Sequence, residues 1–443
     1  MKKMKTAFFL PAIVLCLSLT GCEAKQEDTI KHITLTLKTT PIGLGTVSGL
    51  GEIEVYDLLV AAGEKFAGQY EKYDVDFAVS RYDYLDEKEQ LADKYGTDEA
   101  ADIFYSGSWN TPAYAADGWL VPLDDMIDEK LRGDIEEAIW EQNSIDGHVY
   151  IMPFQQLQNT LLVNKEMMEA AGLEEYIPQD NTVAHWSTSE FNTILYTLRD
   201  SIQQDNTFTF MMYAANNQGD NHIMTLLQSF GGTLYDEDGR FSVNTQEGIE
   251  ALTWIKELDE QGITPKGAEN MELLDCVNLF YNGQLGICVG NLTNLWDAWN
   301  KGLEVFIANF PSMDGKGYCT SSTNGFCVFD NGDEDKIQAA KDFIRFIYTD
   351  EELMKYTLGT LPVNRSVMEE YAEEIPLLQT YGDNMSNSID NIRNNREWQS
   401  VRDVFYLNIQ ELLLGTMTPE ETAAAIDESC NAAQSKYLQE RLE

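Results

Sequence analysis

Basic residues and histidine are scarce in this sequence. The chain of 443 residues has 30 lysines and arginines against 74 aspartates and glutamates, which gives a formal net charge of −44 at pH 7. A chain this acidic repels nucleic acid and anionic lipid, so we expect neither as a direct partner. The four histidines are scattered without the spacing of metal ligands, and we therefore expect no bound metal.

Sequence signatures of catalysis and of cofactor binding are also missing. The patterns G-x-x-x-x-G-K-[ST] and G-x-S-x-G do not occur. The turn at 43–48 (GLGTVS) approaches a dinucleotide-binding pattern, but Ser48 stands where the third glycine belongs. The segment at 236–239 (DEDG) lacks the other ligands of a calcium loop, and a tight turn explains it better. We expect no cofactor and no catalytic residue, and hence a protein that is not an enzyme.

Long apolar segments are absent, since no stretch reaches the roughly 20 residues of a membrane-spanning helix. The apolar run at 7–19 follows three lysines, as in an export signal, and leads into LTGC. This tetrapeptide resembles the bacterial lipobox, in which the cysteine is acylated. We predict a signal peptide at 1–21, a lipidated Cys22 with acyl groups such as palmitate, and a polar tether at 22–29. The protein would then touch the cell membrane only through this lipid, outside the cytoplasm.

Few cysteines remain once the signal peptide is removed and Cys22 is acylated. Their spacing matches no zinc site, and their odd number leaves at least one free thiol. We expect small apolar core residues, and the sequence leaves open whether any two of them pair. The five are Cys276, Cys288, Cys319, Cys327 and Cys430.

Length and composition indicate a folded protein of two domains. Hydrophobic residues make up 43% of the chain, and domains usually hold about 100 to 200 residues. Strand patterns at 32–39, 73–80 and 101–105 alternate with two helix patterns, of which the second covers 85–95. This βαβαβ order predicts an α/β fold with a mostly parallel sheet covered by helices.

A series of ordered segments along the chain resembles the family 1 extracellular solute-binding proteins of ABC importers. Each segment alone is weak, but their order is difficult to produce by chance. The segments are ADIFYSGS at 101–108, ADGWLVPLD at 116–124, GHVYIMPF at 147–154, LLVNK at 161–165, EAAGL at 169–173, WSTSEF at 186–191, LQSFGGTLYDEDG at 227–239, FYNGQLG at 280–286 and LPV at 361–363.

The resemblance implies a periplasmic-binding-protein-like fold, in which two α/β lobes are joined by crossing strands and hold a ligand in the cleft between them. By analogy the first lobe takes 30–154 plus 289–323, and the second takes 155–288 plus 324–443. The resemblance also implies that the protein captures a sugar or oligosaccharide and delivers it to an ABC transporter permease. We expect a monomer whose lobes close on the ligand.

A sugar site needs flat aromatic side chains for the C–H faces, and amides or carboxylates for the hydroxyls. Such residues should lie in loops at strand ends that face the cleft. The candidate ligand-binding residues are Trp109, Asn110, Gln155, Gln156, Asn216, Asn217, Asp220, Trp296, Arg365 and Tyr82.

For three of these candidates, the sequence allows a second interpretation. Trp296 competes with Trp299, because the segment at 290–296 inserts residues into the GGPW pattern that is typical of the family. Arg365 could equally form a surface ion pair, and Tyr82 could equally be a core contact. Trp254, by contrast, lies on the apolar stripe of a predicted helix and is expected in the core.

Two other functions remain open from the sequence. One is a binder of a non-sugar solute such as a polyamine or a peptide, which a cleft rich in carboxylates would favour. The other is a surface glycan-degrading enzyme, although no ordered catalytic motif supports it. The sequence does not specify which sugar is bound, because specificity depends on a cleft shaped by many loops.

Overall fold

The computed structural model describes residues 30–82, 86–180 and 182–442. The predicted signal peptide, the lipidation site Cys22 and the tether at 22–29 lie outside these residues. In the described part of the chain, no helix has the length and apolar character of a membrane span.

The described residues contain fourteen strands. They are β1 (His32–Thr39), β2 (Gly43–Val47), β3 (Gly51–Glu54), β4 (Asp74–Arg81), β5 (Ile103–Gly107), β6 (Ser144–Ile145), β7 (His148–Val149), β8 (Met152–Asn164), β9 (Phe208–Phe210), β10 (Leu285–Gly290), β11 (Val305–Ala308), β12 (Cys319–Val328), β13 (Leu361–Pro362) and β14 (Ser388–Ile389).

The same residues contain eighteen α-helices. They are α1 (Val55–Ala67), α2 (Glu87–Lys94), α3 (Thr111–Ala116), α4 (Glu129–Asp134), α5 (Glu137–Gln142), α6 (Lys165–Ala170), α7 (Thr188–Ser201), α8 (Asn221–Ser229), α9 (Gln246–Glu260), α10 (Leu273–Tyr281), α11 (Leu292–Asn300), α12 (Glu334–Thr349), α13 (Glu351–Met354), α14 (Arg365–Tyr371), α15 (Pro376–Asn384), α16 (Trp398–Leu413), α17 (Pro419–Ala433) and α18 (Ser435–Leu442).

One mixed sheet runs through the described residues, with the main strand order β4-β1-β5-β12-β8-β10-β9. Strand β1 is parallel to both β4 and β5, as the βαβαβ pattern predicted. Its residues Ile33, Leu35 and Leu37 are buried while the residues between them are more exposed, which is the alternation of a strand with one face on a core.

Two long strands, β8 and β12, connect the two ends of this sheet. The first part of β8 pairs with β12, for example Gln156 with Thr323, whereas its last part pairs with β10 and β11, for example Leu162 with Cys288 and Ile307. We call β4, β1, β5 and their helices the first half of the fold, and β9, β10, β11 and their helices the second half. Strand β8 therefore belongs to both halves, and β12 links β5 of the first half to β8.

Each half packs helices against its strands. In the first half α1 and α12 cover β1 and β4, and the ring centroids of Phe77 and Phe343 lie 4.9 Å apart there. In the second half α9 and α17 pack together, and Trp254 is 7% exposed with its ring stacked 3.7 Å from Phe230. The prediction that Trp254 is a core residue agrees with this placement.

The strand pairing groups two segments differently from the predicted lobe boundaries. The stretch 289–323 was expected with the first lobe, but β11 and the end of β10 pair with the second-half part of β8. The stretch 324–443 was expected with the second lobe, but α12 packs on β1 in the first half. The reason is that strand pairing with β8 places β10 and β11, and packing on β1 places α12, whatever their order along the chain.

Candidate ligand-binding cleft

A cleft of about 230 Å³ opens where β8 and β12 pass between the two halves. Its lining combines four aromatic side chains with a majority of uncharged polar and aliphatic ones. The lining residues are Trp109, Leu157, Asn159, Tyr213, Gln218, Asp220, Asn221, His222, Leu273, Val289, Gly290, Asn291, Asn294, Phe310, Thr320, Ser322, Ile392, Trp398 and Arg402.

Trp109 reaches the cleft from the loop after β5, in the first half. Its ring lies against the backbone of Gly107, where an added Cβ would come within 2.4 Å of the ring. The glycine therefore creates the space that the ring occupies. Trp109 is half-buried and packs against the apolar core of the second half, so it contacts both halves at once.

Two of the lining residues that the second half contributes come from α16. Trp398 and Arg402 are four residues apart on this helix and therefore lie on one face of it. Trp398 is 2% exposed, which holds its ring in place beside the cleft. The lining of the cleft thus includes two indoles, one from each half.

Asp220 and Arg402 form a nearly buried ion pair in the cleft wall. Arg402 Nε donates to Asp220 Oδ2 at 2.5 Å, with the two side chains 10% and 5% exposed. Asp220 also accepts from the backbone N of Asn221 at the start of α8, and Arg402 Nη2 donates to the carbonyl of Asn217. Because the two charges are paired, the wall contributes little net charge to the cleft.

His222 is neutral in the folded protein. Burial lowers its pKa to about 3, and its Nε2 accepts from the backbone N of Tyr213 at 3.3 Å. The proton is therefore on Nδ1, which is buried and has no partner among the described residues. The ring stacks on Tyr213 with centroids 4.0 Å apart. This places one unused N–H donor in the wall of the cleft.

Amides and hydroxyls fill the remaining polar positions of the cleft. Thr320 Oγ1 on β12 accepts from Asn221 Nδ2 at 3.0 Å and from Asn159 Nδ2 at 3.4 Å. Asn291 caps α11 through Thr293 and Asn294, so that two asparagines lie near the start of that helix. These groups offer both donors and acceptors on a neutral surface.

Of the ten predicted ligand-binding residues, the structure brings Trp109 and Asp220 to the cleft. Asn110 instead donates to Glu87 Oε1 at 2.9 Å and accepts from Gln399. The side-chain amide of Asn110 is therefore already hydrogen-bonded within the protein. Asp220 lines the cleft and forms the ion pair with Arg402 described above.

The predicted glutamines and asparagines lie near the cleft but do not line it. Gln156 donates to Ser321 Oγ at 3.0 Å, and Gln155 is fully buried on β8 with no partner for its amide among the described residues. Asn216 accepts from the backbone N of Gln218. Asn217 donates to Asp403 Oδ1 at 2.9 Å.

The remaining three candidates lie elsewhere. Trp296 is packed edge-on against Trp299 with centroids 5.3 Å apart, and neither indole lines the cleft. Arg365 is exposed and paired with Glu136 at 3.2 Å. Tyr82 is buried 6.1 Å from the ring of Phe104. The sequence allowed a surface ion pair for Arg365 and a core contact for Tyr82, and the structure shows both of these placements.

Several lining residues were not identified from the sequence. Among them are Tyr213, His222, Asn291, Asn294, Phe310, Trp398 and Arg402. A usable signal existed only for Trp398 and Arg402, since an aromatic and a charged residue at i and i+4 share a helix face. The described residues contain no group of three acidic, histidine or cysteine side chains that could hold a metal ion.

Comparison with known proteins agrees with this architecture. A binding protein of Brucella abortus is 23% identical over 296 residues, which cover 66% of this chain and 69% of the relative. The arabinooligosaccharide-binding protein of Halalkalibacterium halodurans is 23% identical over 350 residues, covering 71% of this chain and 72% of that protein.

Among solved structures, an ABC substrate-binding protein from Listeria monocytogenes in complex with cycloalternan superposes with a TM-score of 0.73. It is 18% identical, and the match covers 91% of this chain and 99% of that structure. This likeness confirms the predicted periplasmic-binding-protein-like α/β fold. A family model for the bacterial extracellular solute-binding proteins matches residues 53–354. Because that match spans more than half of the sequence, this chain belongs to the bacterial extracellular solute-binding proteins.

Proposed function

We propose that this protein binds a neutral sugar or short oligosaccharide in the cleft between its two halves and delivers it to an ABC transporter permease. The observation that carries the proposal is the pairing of two indoles, Trp109 and Trp398, with a wall of uncharged amides and hydroxyls. Flat aromatic rings fit the C–H faces of a sugar, and the amides fit its hydroxyls. The binding of arabinooligosaccharides and of cycloalternan by the relatives named above supports the same class of ligand.

The charge of the cleft supports a neutral ligand. Asp220 is the acidic residue among those that line the cleft, and Arg402 neutralises it at 2.5 Å. A polyamine would need carboxylates in excess, and a uronic acid would need a cation that is not already paired. His222 does not provide such a cation, since burial lowers its pKa to about 3.

The size of the cleft supports a short ligand. Its volume of about 230 Å³ lies below the roughly 300 to 1,000 Å³ of sites for drug-sized molecules. A monosaccharide or disaccharide fits such a space better than a long chain does.

The two halves would act as lobes that close on the ligand. Side chains of the second half already contact the first: Gln399 donates to Asn110, and Asn394 Nδ2 donates to the carbonyls of Glu141 and Ser144 at 2.8 and 2.9 Å. Contacts from both lobes to one sugar exist only in the closed arrangement, so binding favours it. The permease would recognise the closed shape as loaded.

The lipid anchor remains part of the proposal. Membership in a family of extracellular binding proteins supports an extracytoplasmic location. The LTGC sequence at 19–22 supports attachment through Cys22. An anchored protein would keep its ligand close to the permease in the membrane.

A thermal-shift screen tests the class of ligand. The panel contains neutral mono- and disaccharides, a uronic acid, a polyamine and a tripeptide. A ligand that binds only the native state raises the unfolding midpoint. We therefore expect a neutral sugar to raise it, and the uronic acid, the polyamine and the tripeptide to leave it unchanged. A shift with the polyamine or the tripeptide, and none with any sugar, would contradict the proposal. A separate incubation with an oligosaccharide tests for catalysis, because release of new reducing ends would indicate a glycan-degrading enzyme.

A further inference from the structure

Two buried cysteines lie next to each other behind the cleft. Cys276 Sγ on α10 is 3.3 Å from Cys288 Sγ on β10, and the residues are 0% and 1% exposed. A disulfide bond has an S–S length of about 2.05 Å, so the sulfurs must approach by little more than 1 Å. The other described cysteines have different neighbours: Cys319 Sγ donates to the carbonyl of Asn384, and Cys327 contacts Thr111 Oγ1 at 3.6 Å.

The elements that carry this pair also form part of the cleft. Leu273 at the start of α10 lines the cleft, and so do Val289 and Gly290, which directly follow Cys288. A covalent bond between α10 and β10 would therefore hold one wall of the cleft in place. The family to which the chain belongs is extracellular, and disulfides form and persist in such oxidising surroundings.

We propose that Cys276 and Cys288 form a disulfide in the exported protein, which ties α10 to β10 behind the cleft. The oxidant is a disulfide, carried either by a thiol oxidoreductase or by a small oxidised thiol. One cysteine thiolate attacks that disulfide and releases the first oxidant thiol. The second cysteine then attacks the mixed disulfide and releases the second oxidant thiol. Two electrons pass to the oxidant, and the two cysteine protons end on its two thiols.

The bond forms while the chain folds. The hydrogen bond with Cys276, together with burial, raises the pKa of Cys288 well above its usual value. Since the thiolate is the attacking species, the packed dithiol reacts slowly. An oxidant reaches the pair while α10 is still detached from β10. Once formed, the disulfide is buried and protected from reductant.

Refolding in a glutathione redox buffer tests the proposal. The full chain is unfolded and reduced, refolded with reduced and oxidised glutathione, then denatured, alkylated and mapped by mass spectrometry. We expect a peptide that links Cys276 to Cys288, while Cys319, Cys327 and Cys430 are alkylated. The protein refolded in reductant alone should unfold at a midpoint roughly 3 to 6 °C below that of the protein refolded in the redox buffer, because the bond closes a short loop.

Two variants serve as controls. Cys276→Ser should lose the linked peptide and the effect of reductant, whereas Cys319→Ser should keep both. The map of the wild-type protein gives an answer even if a variant fails to fold. Alkylation of all five cysteines after refolding would overturn the proposal, and so would linked peptides that join other cysteines as often as this pair.

Discussion

Replacement of Trp109 by alanine should weaken ligand binding far more than it weakens the unliganded fold. The half-buried ring lines the cleft and lies over Gly107, so its removal takes away one of the two indole faces available to a sugar. Loss of a central aromatic contact costs about 1 to 3 kcal/mol. This corresponds to a rise in Kd of roughly 5- to 150-fold.

The matched control is Trp254→Ala. Trp254 is 7% exposed, stacks on Phe230 at 3.7 Å and donates to Asn192 Oδ1 at 2.7 Å. Its removal opens a core cavity and should cost about 3 to 5 kcal/mol of folding stability. Trp109→Ala leaves a space that is open to water, so it should cost about 1 kcal/mol or less of folding stability.

Calorimetry with the sugar identified by the thermal-shift screen, and urea unfolding without it, separate the two effects. We expect Trp109→Ala to change mainly the Kd and Trp254→Ala to change mainly the free energy of unfolding. The reasoning is refuted if Trp109→Ala destabilises the unliganded protein as much as Trp254→Ala does while the Kd stays the same. Trp109 would then be a core residue and not a ligand contact.

Three further predictions follow from the same structure. Since burial lowers the pKa of His222 to about 3, the unfolded chain binds a proton below about pH 6.5 that the folded chain does not. Through this group, the free energy of unfolding should therefore fall by about 1.4 kcal/mol per pH unit as the pH drops from 6 to 4. In urea unfolding over the same pH range, His222→Asn should show a smaller fall than the wild type. Arg402→Met should destabilise the fold by roughly 3 to 5 kcal/mol, because it leaves Asp220 charged and buried; equal unfolding midpoints for variant and wild type would disprove this. Cys22→Ala should leave uncleaved precursor without a lipid, and a mature wild-type N-terminus elsewhere, without an acyl group, would exclude the predicted anchor.

Local periodicity was sufficient to predict the first strands and the core face of α9. The alternation of Ile33, Leu35 and Leu37 depends on neighbours two residues apart, and the stripe that contains Trp254 on neighbours three and four apart. Both patterns are complete within a short window of sequence. Assignment of 289–308 to a half of the fold depends instead on strand pairing with β8, and that of α12 on packing against β1, in each case more than a hundred residues away.

The site was less predictable for the same reason. Trp109 comes just after β5, and Asp220 comes just before α8. Both positions are at element ends that the sequence pattern indicates. Trp398 lies 289 residues after Trp109, and nothing local indicates that the two indoles meet at one cleft. On α11 the helix begins at Leu292, directly after Asn291. At about 100° per residue, Trp296 lies roughly 200° around the helix from Asn294, which explains why the asparagine and not the tryptophan lines the cleft.

Small-angle X-ray scattering with and without the sugar tests most directly whether ligand is held between two closing lobes. Calorimetry on the same samples must first show that the site is filled. We expect a larger radius of gyration without sugar, and on saturation a smaller one that matches the value calculated from the arrangement in which Gln399 contacts Asn110. An unchanged scattering curve with the site filled would contradict capture by closure.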